Sequence, residues 1–233
     1  VDNPDMVVTQ NGSIYVTWKD TRNNGSIYFD KSTDRGNTFK NTDILVSGGG
    51  KTTNSAPSIA ADPNNPSKVY ITWAHSKTDS LCFSEEYGLY FSKSLDSGNT
   101  WSQKMLIKEQ NGCVSQDIFD PDIAVAPNGN IYIAWADTEQ DQIEIARSTD
   151  GGQSFAHLSP IEPFNQSNKE NLITPDIEVT GDGKIHIMYA DRSITQNDKA
   201  SIVHKVSSDS GNTFTSPSIL DNDFSVDKAS FNP

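Results

Sequence analysis

Glu85-Glu86-Tyr87 sets a carboxylate beside a phenol, and a carboxylate that takes the phenolic proton makes a nucleophile of Tyr87. Asp137 is a further carboxylate that could serve such chemistry. In an extended segment Glu86 and Tyr87 point to opposite sides, so the pair forms only if the loop bends; otherwise the run is a solvated acidic loop. The only arginines are Arg22, Arg35, Arg147 and Arg192, and a guanidinium is the natural clamp for an anionic group. An aromatic-x-Asp pattern recurs as Trp18 to Asp20, Trp135 to Asp137 and Tyr189 to Asp191, with His75 in the remaining place. These residues either cap strand ends or reach a ligand. Asp5, Asp122 and Asp176 each follow a proline, with Ser58 in the remaining copy, and convergent oxygens of this kind suit Ca²⁺. Hydrated carboxylates at the mouth of a channel are the plainer reading. No other cofactor is expected. The run Asp221-Asn222-Asp223-Phe224-Ser225-Val226-Asp227 imitates the opening of a calcium loop but lacks its later Gly and Glu. His157, His186, His204, Cys82 and Cys113 match no zinc-ligand spacing.

What must position these groups is a repeat. One eight-residue phrase occurs four times: Ser32-Thr-Asp34-Arg-Gly36-Asn-Thr38-Phe39, Ser94-Leu-Asp96-Ser-Gly98-Asn-Thr100-Trp101, Ser148-Thr-Asp150-Gly-Gly152-Gln-Ser154-Phe155 and Ser207-Ser-Asp209-Ser-Gly211-Asn-Thr213-Phe214. A period of just under sixty residues signals a propeller or a solenoid. Each unit opens on a Pro-x pair (Pro4-Asp5, Pro57-Ser58, Pro121-Asp122, Pro175-Asp176) and passes through a Gly or Asn turn. It then enters a β-branched, aromatic run such as Ile14 to Trp18 or Ile131 to Trp135. A third run leads into the phrase and a fourth follows it, with no helical period anywhere. The expectation is all-β: four-stranded antiparallel blades, apolar on both faces of their inner strands, stacked radially as a β-propeller. A solenoid is the alternative. The phrase reads as the turn between the third and fourth strands. Gly36, Gly98, Gly152 and Gly211 supply left-handed backbone, Asp34, Asp96, Asp150 and Asp209 accept turn amides, and the last aromatic anchors the turn against the blade. Recurrence in every blade argues for scaffold over catalysis.

The phrase resembles the Asp-box, or bacterial neuraminidase repeat, and the chain is similar to the sialidase-like superfamily of propellers over nearly its whole length. The resemblance implies the propeller fold and is nearly silent on activity, because Asp-boxes occur on propellers of unrelated function. For a sialidase it implies three arginines on the substrate carboxylate, a Tyr activated by a Glu, an Asp acid/base and an Arg-Ile-Pro phrase. No Arg-Ile-Pro occurs here, and Arg35 lies inside the first phrase, on the face opposite that family's site. Arg22, Arg147 and Arg192 are left as a potential clamp, in contexts that do not match the family.

In such blades the repeated phrase marks one face of the disc, and the loops between second and third strands mark the other. That second face carries Asp20, Arg22, His75, Glu85, Asp137, Asp191 and Arg192, the candidate ligand contacts, since loops on a rigid scaffold commonly bind. The blades run at about 4–50, 56–115, 120–170 and 174–225 of a single region, 1–233. Residues 229–233 resemble the opening Asp2-Asn3-Pro4 and read as the start of a fifth repeat. The chain is then a four-bladed ring, half of a ring closed by a homodimer, or part of a six- to eight-bladed propeller.

A net charge of −13 argues against nucleic acid and anionic membrane as partners, and no apolar run is long enough to span a bilayer. The chain starts at Val1, as a processed or trimmed chain would. Cys82 and Cys113 fall in loops of one face, where a disulfide would stabilise the fold by about 3–4 kcal/mol; two buried thiols are the alternative. Sequons stand at Asn11, Asn24 and Asn165. The expectation is therefore an extracellular module, secreted or on the cell surface, that recognises carbohydrate or a surface protein. A sialidase-like hydrolase and a purely architectural adhesin module are the alternatives.

Overall fold

The structure is a computed structural model and describes residues 2–23, 25–40, 43–48, 52–54, 56–77, 88–109, 118–137, 140, 142–161, 172–191 and 200–224. The described residues form β-strands and one 3-10 turn, Thr21–Asn23. The first sheet contains β1 (Asp2–Val8), β2 (Ile14–Asp20), β3 (Ser26–Ser32) and β4 (Ile44–Ser47), in that order. The second contains β5 (Thr52–Asn54), β6 (Ser58–Asp62), β7 (Asn65–Lys77), β8 (Gly88–Ser94) and β9 (Met105–Glu109). Both β5 and β6 pair with β7, so they are two pieces of one inner strand. The third sheet is β10 (Ile118–Val125), β11 (Ile131–Asp137), β12 (Gln142–Ser148) and β13 (Ala156–His157). The fourth is β14 (Leu172–Val179), β15 (Ile185–Asp191), β16 (Ala200–Ser207) and β17 (Ser218–Phe224). Neighbouring strands are antiparallel throughout. The innermost strands β1, β6, β10 and β14 line one common cleft of about 260 Å³, so the sheets are arranged about a centre as propeller blades.

The inner strands and one outer strand differ from the sequence reading. The inner strands start before the prolines, and Pro4, Pro121 and Pro175 lie within them, beside shifts of register. Asn3, Asp120 and Thr174 precede those prolines with φ of 49°, 38° and 48°, and the resulting bulge bends each inner strand. The outer strand of the third sheet is only two residues long, although Ala156 to Ile161 reads as a full strand.

The repeated phrase closes on itself. Ser32 Oγ donates to Asp34 Oδ1 at 2.7 Å, Thr38 N donates to the same oxygen at 2.9 Å, and Thr38 Oγ1 donates to Oδ2. Gly36 N donates to Ser32 Oγ at 2.9 Å. The other three copies repeat this pattern. Besides the glycine, the residue before it is left-handed in every copy, with Arg35, Ser97 and Ser210 at φ near 60°. The terminal aromatic packs on the preceding sheet, which corrects its assignment to its own blade: Trp101 meets Phe29 edge-on at 5.2 Å and Phe155 meets Phe91 at 4.9 Å. The reason is steric. The turn sits against the neighbour so closely that a Cβ at Gly98 would lie 2.2 Å from the Phe29 ring.

Between sheets the packing is layered. Each central strand sends one face to the preceding sheet and the other to the following one. Tyr15, Ile27 and Phe29 of the first sheet meet Ile59, Val69, Ile71 and Trp73 of the second. The second and third sheets, and the third and fourth, repeat the arrangement. A cation reinforces each seam: Lys31 Nζ donates to Ser97 O, Lys93 Nζ to Gly151 O, and Arg147 Nη1 to Ser210 O, at 2.7–2.8 Å. Each carbonyl belongs to the next sheet's phrase, directly after its aspartate.

Candidate functional site

The strand-end residues lie on the face away from the repeated phrase. Asp20, His75, Asp137 and Asp191 occupy equivalent places, and all four are buried. Asp20 accepts from Arg22 N at 2.9 Å, and the Arg22 guanidinium donates to it through Nε (3.0 Å to Oδ1) and Nη2 (2.6 Å to Oδ2). This guanidinium beside it holds the Asp20 carboxyl down at about 2. Asp137 accepts from Gln140 N at 3.0 Å, and the His75 ring stands edge-on to Tyr90. Glu85, Glu86, Tyr87, Arg192, Cys82 and Cys113 lie outside the described residues, as do 229–233.

Asp137 has companions that sequence reasoning missed. Lys108 Nζ, from β9, lies 3.2 and 3.3 Å from the two oxygens of Glu144 on β12 and 3.7 Å from Asp137 Oδ2. His157 of β13 stands edge-on to Trp135, with Nε2 2.9 Å from the Ile107 carbonyl and Nδ1 4.0 Å from Glu144 Oε2. A carbonyl only accepts, so Nε2 carries the proton and Nδ1 faces the carboxylate. Four polar groups of both signs thus meet in the seam between second and third sheets, at its loop end. The signal that marks them is a break in the repeat. Facing the strand-end aromatic, the other sheets place Tyr28, Tyr90 and Val203, and only the third places a charge, Glu144. Lys108 and His157 remain partly exposed, so the group can offer donors and acceptors to a ligand.

The proline-linked aspartates face the central cleft. Asp5 Oδ2 accepts from Ile59 N of the second sheet at 2.9 Å, and Asp122 Oδ2 accepts from Ile177 N of the fourth at 2.8 Å. Ser58 Oγ donates to Asp122 Oδ1 at 2.6 Å. Asp5 and Asp122 are therefore latches from one inner strand to the next. Burial pushes the Asp122 carboxyl up to about 6 despite these donors. Burial likewise raises Glu178, with Asp176 and Asp5 adding repulsion. Among the described residues no group of three or more His, Cys, Asp or Glu side chains is gathered closely enough to hold a metal ion.

Of the arginines considered for a clamp, Arg147 points to the other face. It sits one residue before the third phrase and is held by the fourth. Arg22 and Arg147 therefore lie at opposite ends of their sheets, and the three-arginine arrangement raised from sequence does not assemble.

No protein-family model matches the chain, and no curated protein matches it. Solved structures match its fold. A protein of unknown function from Dyadobacter fermentans superposes with a TM-score of 0.66 at 16% identity, over 94% of this chain and 68% of that one. The leech intramolecular trans-sialidase gives 0.67 at 11% identity, over 95% of this chain and 51% of its own. An ulvan lyase gives 0.60 at 14% identity, covering 93% and 55%. The chain thus spans about half the length of the two enzymes. It shares the sialidase-like fold with them, and that fold carries unlike chemistries.

Proposed function

We propose that this chain is an extracellular Asp-box recognition module that holds a glycan, free or borne by a surface protein, on its loop-bearing face without cleaving it. One observation supports the reading above others. Lys108, Asp137, Glu144 and His157 bring an ammonium, two carboxylates and an imidazole together at the loop end of one seam, where the corresponding positions elsewhere include aromatic and aliphatic residues. Sugars present dense hydroxyl donors and acceptors, and such a group can bond to both. Asp20 and Arg22 neutralise one another and add a second polar patch on the same face. With Arg147 committed to the phrase face, a clamp for a carboxylated sugar has no counterpart among the described residues. An extracellular setting with a Cys82–Cys113 bridge accompanies the proposal.

A glycan array probed with the labelled chain, alongside a fluorogenic sialoside assay, tests this. Retention of a glycan, weakened about tenfold by Lys108→Gln when assayed well below that variant's own melting temperature, is the expected result, equivalent to about 1.4 kcal/mol of lost hydrogen bonding. Turnover of the sialoside, or an array with nothing retained, overturns it.

A further inference from the structure

The outward face of the fourth sheet breaks the repeat at four neighbouring places at once. One lies on the inner strand, two on the second strand and one on the third, and strand pairing sets them side by side. In the first sheet these places hold Val7, Tyr15, Thr17 and Phe29, and in the second Ala60, Tyr70, Thr72 and Phe91. In the third they hold Ala124, Tyr132, Ala134 and Ile145. The fourth sheet has Glu178, His186, Met188 and His204 instead. None of the earlier residues carries a carboxylate, imidazole or sulfur, and all four of the later ones do. The tyrosines and third-strand residues of the earlier sheets are buried. Here Met188 is 39% exposed and both imidazoles are half-buried, so water and ions reach them.

The imidazoles are already assembled. His186 Nδ1 and His204 Nε2 lie 3.0 Å apart, with ring centroids 5.2 Å apart and planes within 13° of parallel. One of these nitrogens donates to the other, so a single proton lies between them. Moving that proton to the far nitrogen of its own ring leaves two lone pairs facing one gap, with no proton lost. An ion about 2 Å from each nitrogen spans such a gap at nearly a right angle, whereas a tetrahedral centre needs roughly 3.3 Å. A right angle between neighbouring ligands belongs to the tetragonal geometry of Cu²⁺ rather than to the tetrahedral geometry of Zn²⁺.

We infer that His186 and His204 form a copper site on the outward face of the fourth sheet, with Met188 and Glu178 as further ligands. Met188 pairs with His204 and brings a thioether, the soft donor that suits Cu⁺. Glu178 pairs with His186 and brings the oxygen of a mixed nitrogen and oxygen set for Cu²⁺. Among the described residues no third His, Cys, Asp or Glu is gathered with the imidazoles, so Glu178 joins by turning its side chain across the strand gap of about 5 Å. Sequence spacing hides the pair, because His186 and His204 stand 18 residues apart and meet diagonally across two strands.

Titration of the chelator-stripped chain with Cu²⁺, against glycine as a competing ligand, tests this. The expected result is one Cu²⁺ per chain, an electron paramagnetic resonance spectrum of a tetragonal centre with two nitrogen ligands, and a melting temperature that rises with the metal. His186→Tyr and His204→Phe restore residues found in the other sheets. Each should lower the affinity at least about 100-fold, more than the loss of an outer partner costs, and abolish the rise in melting temperature. His186→Gln gives the same readout should the tyrosine disturb the fold. Met188→Leu should weaken Cu⁺ about tenfold, measured in ascorbate against bicinchoninate, and leave Cu²⁺ within about twofold. Absence of stoichiometric uptake, uptake that the histidine variants leave unchanged, or a spectrum without two nitrogen ligands overturns the site, and an unchanged Cu⁺ affinity in Met188→Leu overturns the thioether's part in it.

Discussion

A carboxylate in this protein is tuned by which donors reach it, and two classes respond to pH in opposite directions. The hydroxyls and amides of Ser32 and Thr38 hold Asp34 at about 2, and the equivalent groups, led by Thr100 and Thr213, do the same for Asp96 and Asp209. Their folded values lie below the ordinary 3.8, so the stability they add is present above that pH and is lost as pH falls toward 2. Asp122 runs the other way. Burial raises it to about 6, so its contribution is complete below 3.8 and disappears as pH rises through 6. Urea midpoints measured from pH 4 to 7 should show Asp122→Asn gaining on the parent chain as pH rises, and parallel curves would refute this. The phrase's bonds were legible from sequence because every partner lies within four residues. The Asp5 and Asp122 latches were not, since their amide partners stand 54 and 55 residues away.

At the scale of turns and strands, position within the stack decides what a substitution costs. Gly98 and Gly129 are both left-handed, at φ of 77° and 85°. An Ala at 129 meets nothing within 4 Å and should cost about 1 kcal/mol of backbone strain. An Ala at 98 drives its Cβ into Phe29 as well, and should cost at least about 2 kcal/mol. Denaturant midpoints of the two variants check the order, and equal losses would show that the phrase does not bear on the preceding sheet. Strand identity came from alternation and β-branched composition. The split of the second sheet's inner strand and the two-residue β13 did not, because pairing length depends on which neighbour supplies the partners.

Across the whole molecule, burial follows from the number of neighbouring sheets rather than from residue type. Trp73 and Trp18 hold the same register, but Trp73 has a sheet on its outward side and, among the described residues, Trp18 has none. Trp73→Ala should lose about 3–5 kcal/mol and Trp18→Ala less than half of that, read from urea unfolding of the two variants. The repeat by itself determined the class of fold, the antiparallel units and the face on which the phrase lies, because periodic patterning records local geometry and is independent of distant partners. Only the tertiary structure decided that the aromatics clamp the preceding sheet, that Arg147 serves a seam, and that Lys108, Glu144 and His157 join Asp137. Each of these is a contact between successive sheets, and a side chain's partner across a seam is set by how two sheets stack, which no spacing within one of them encodes.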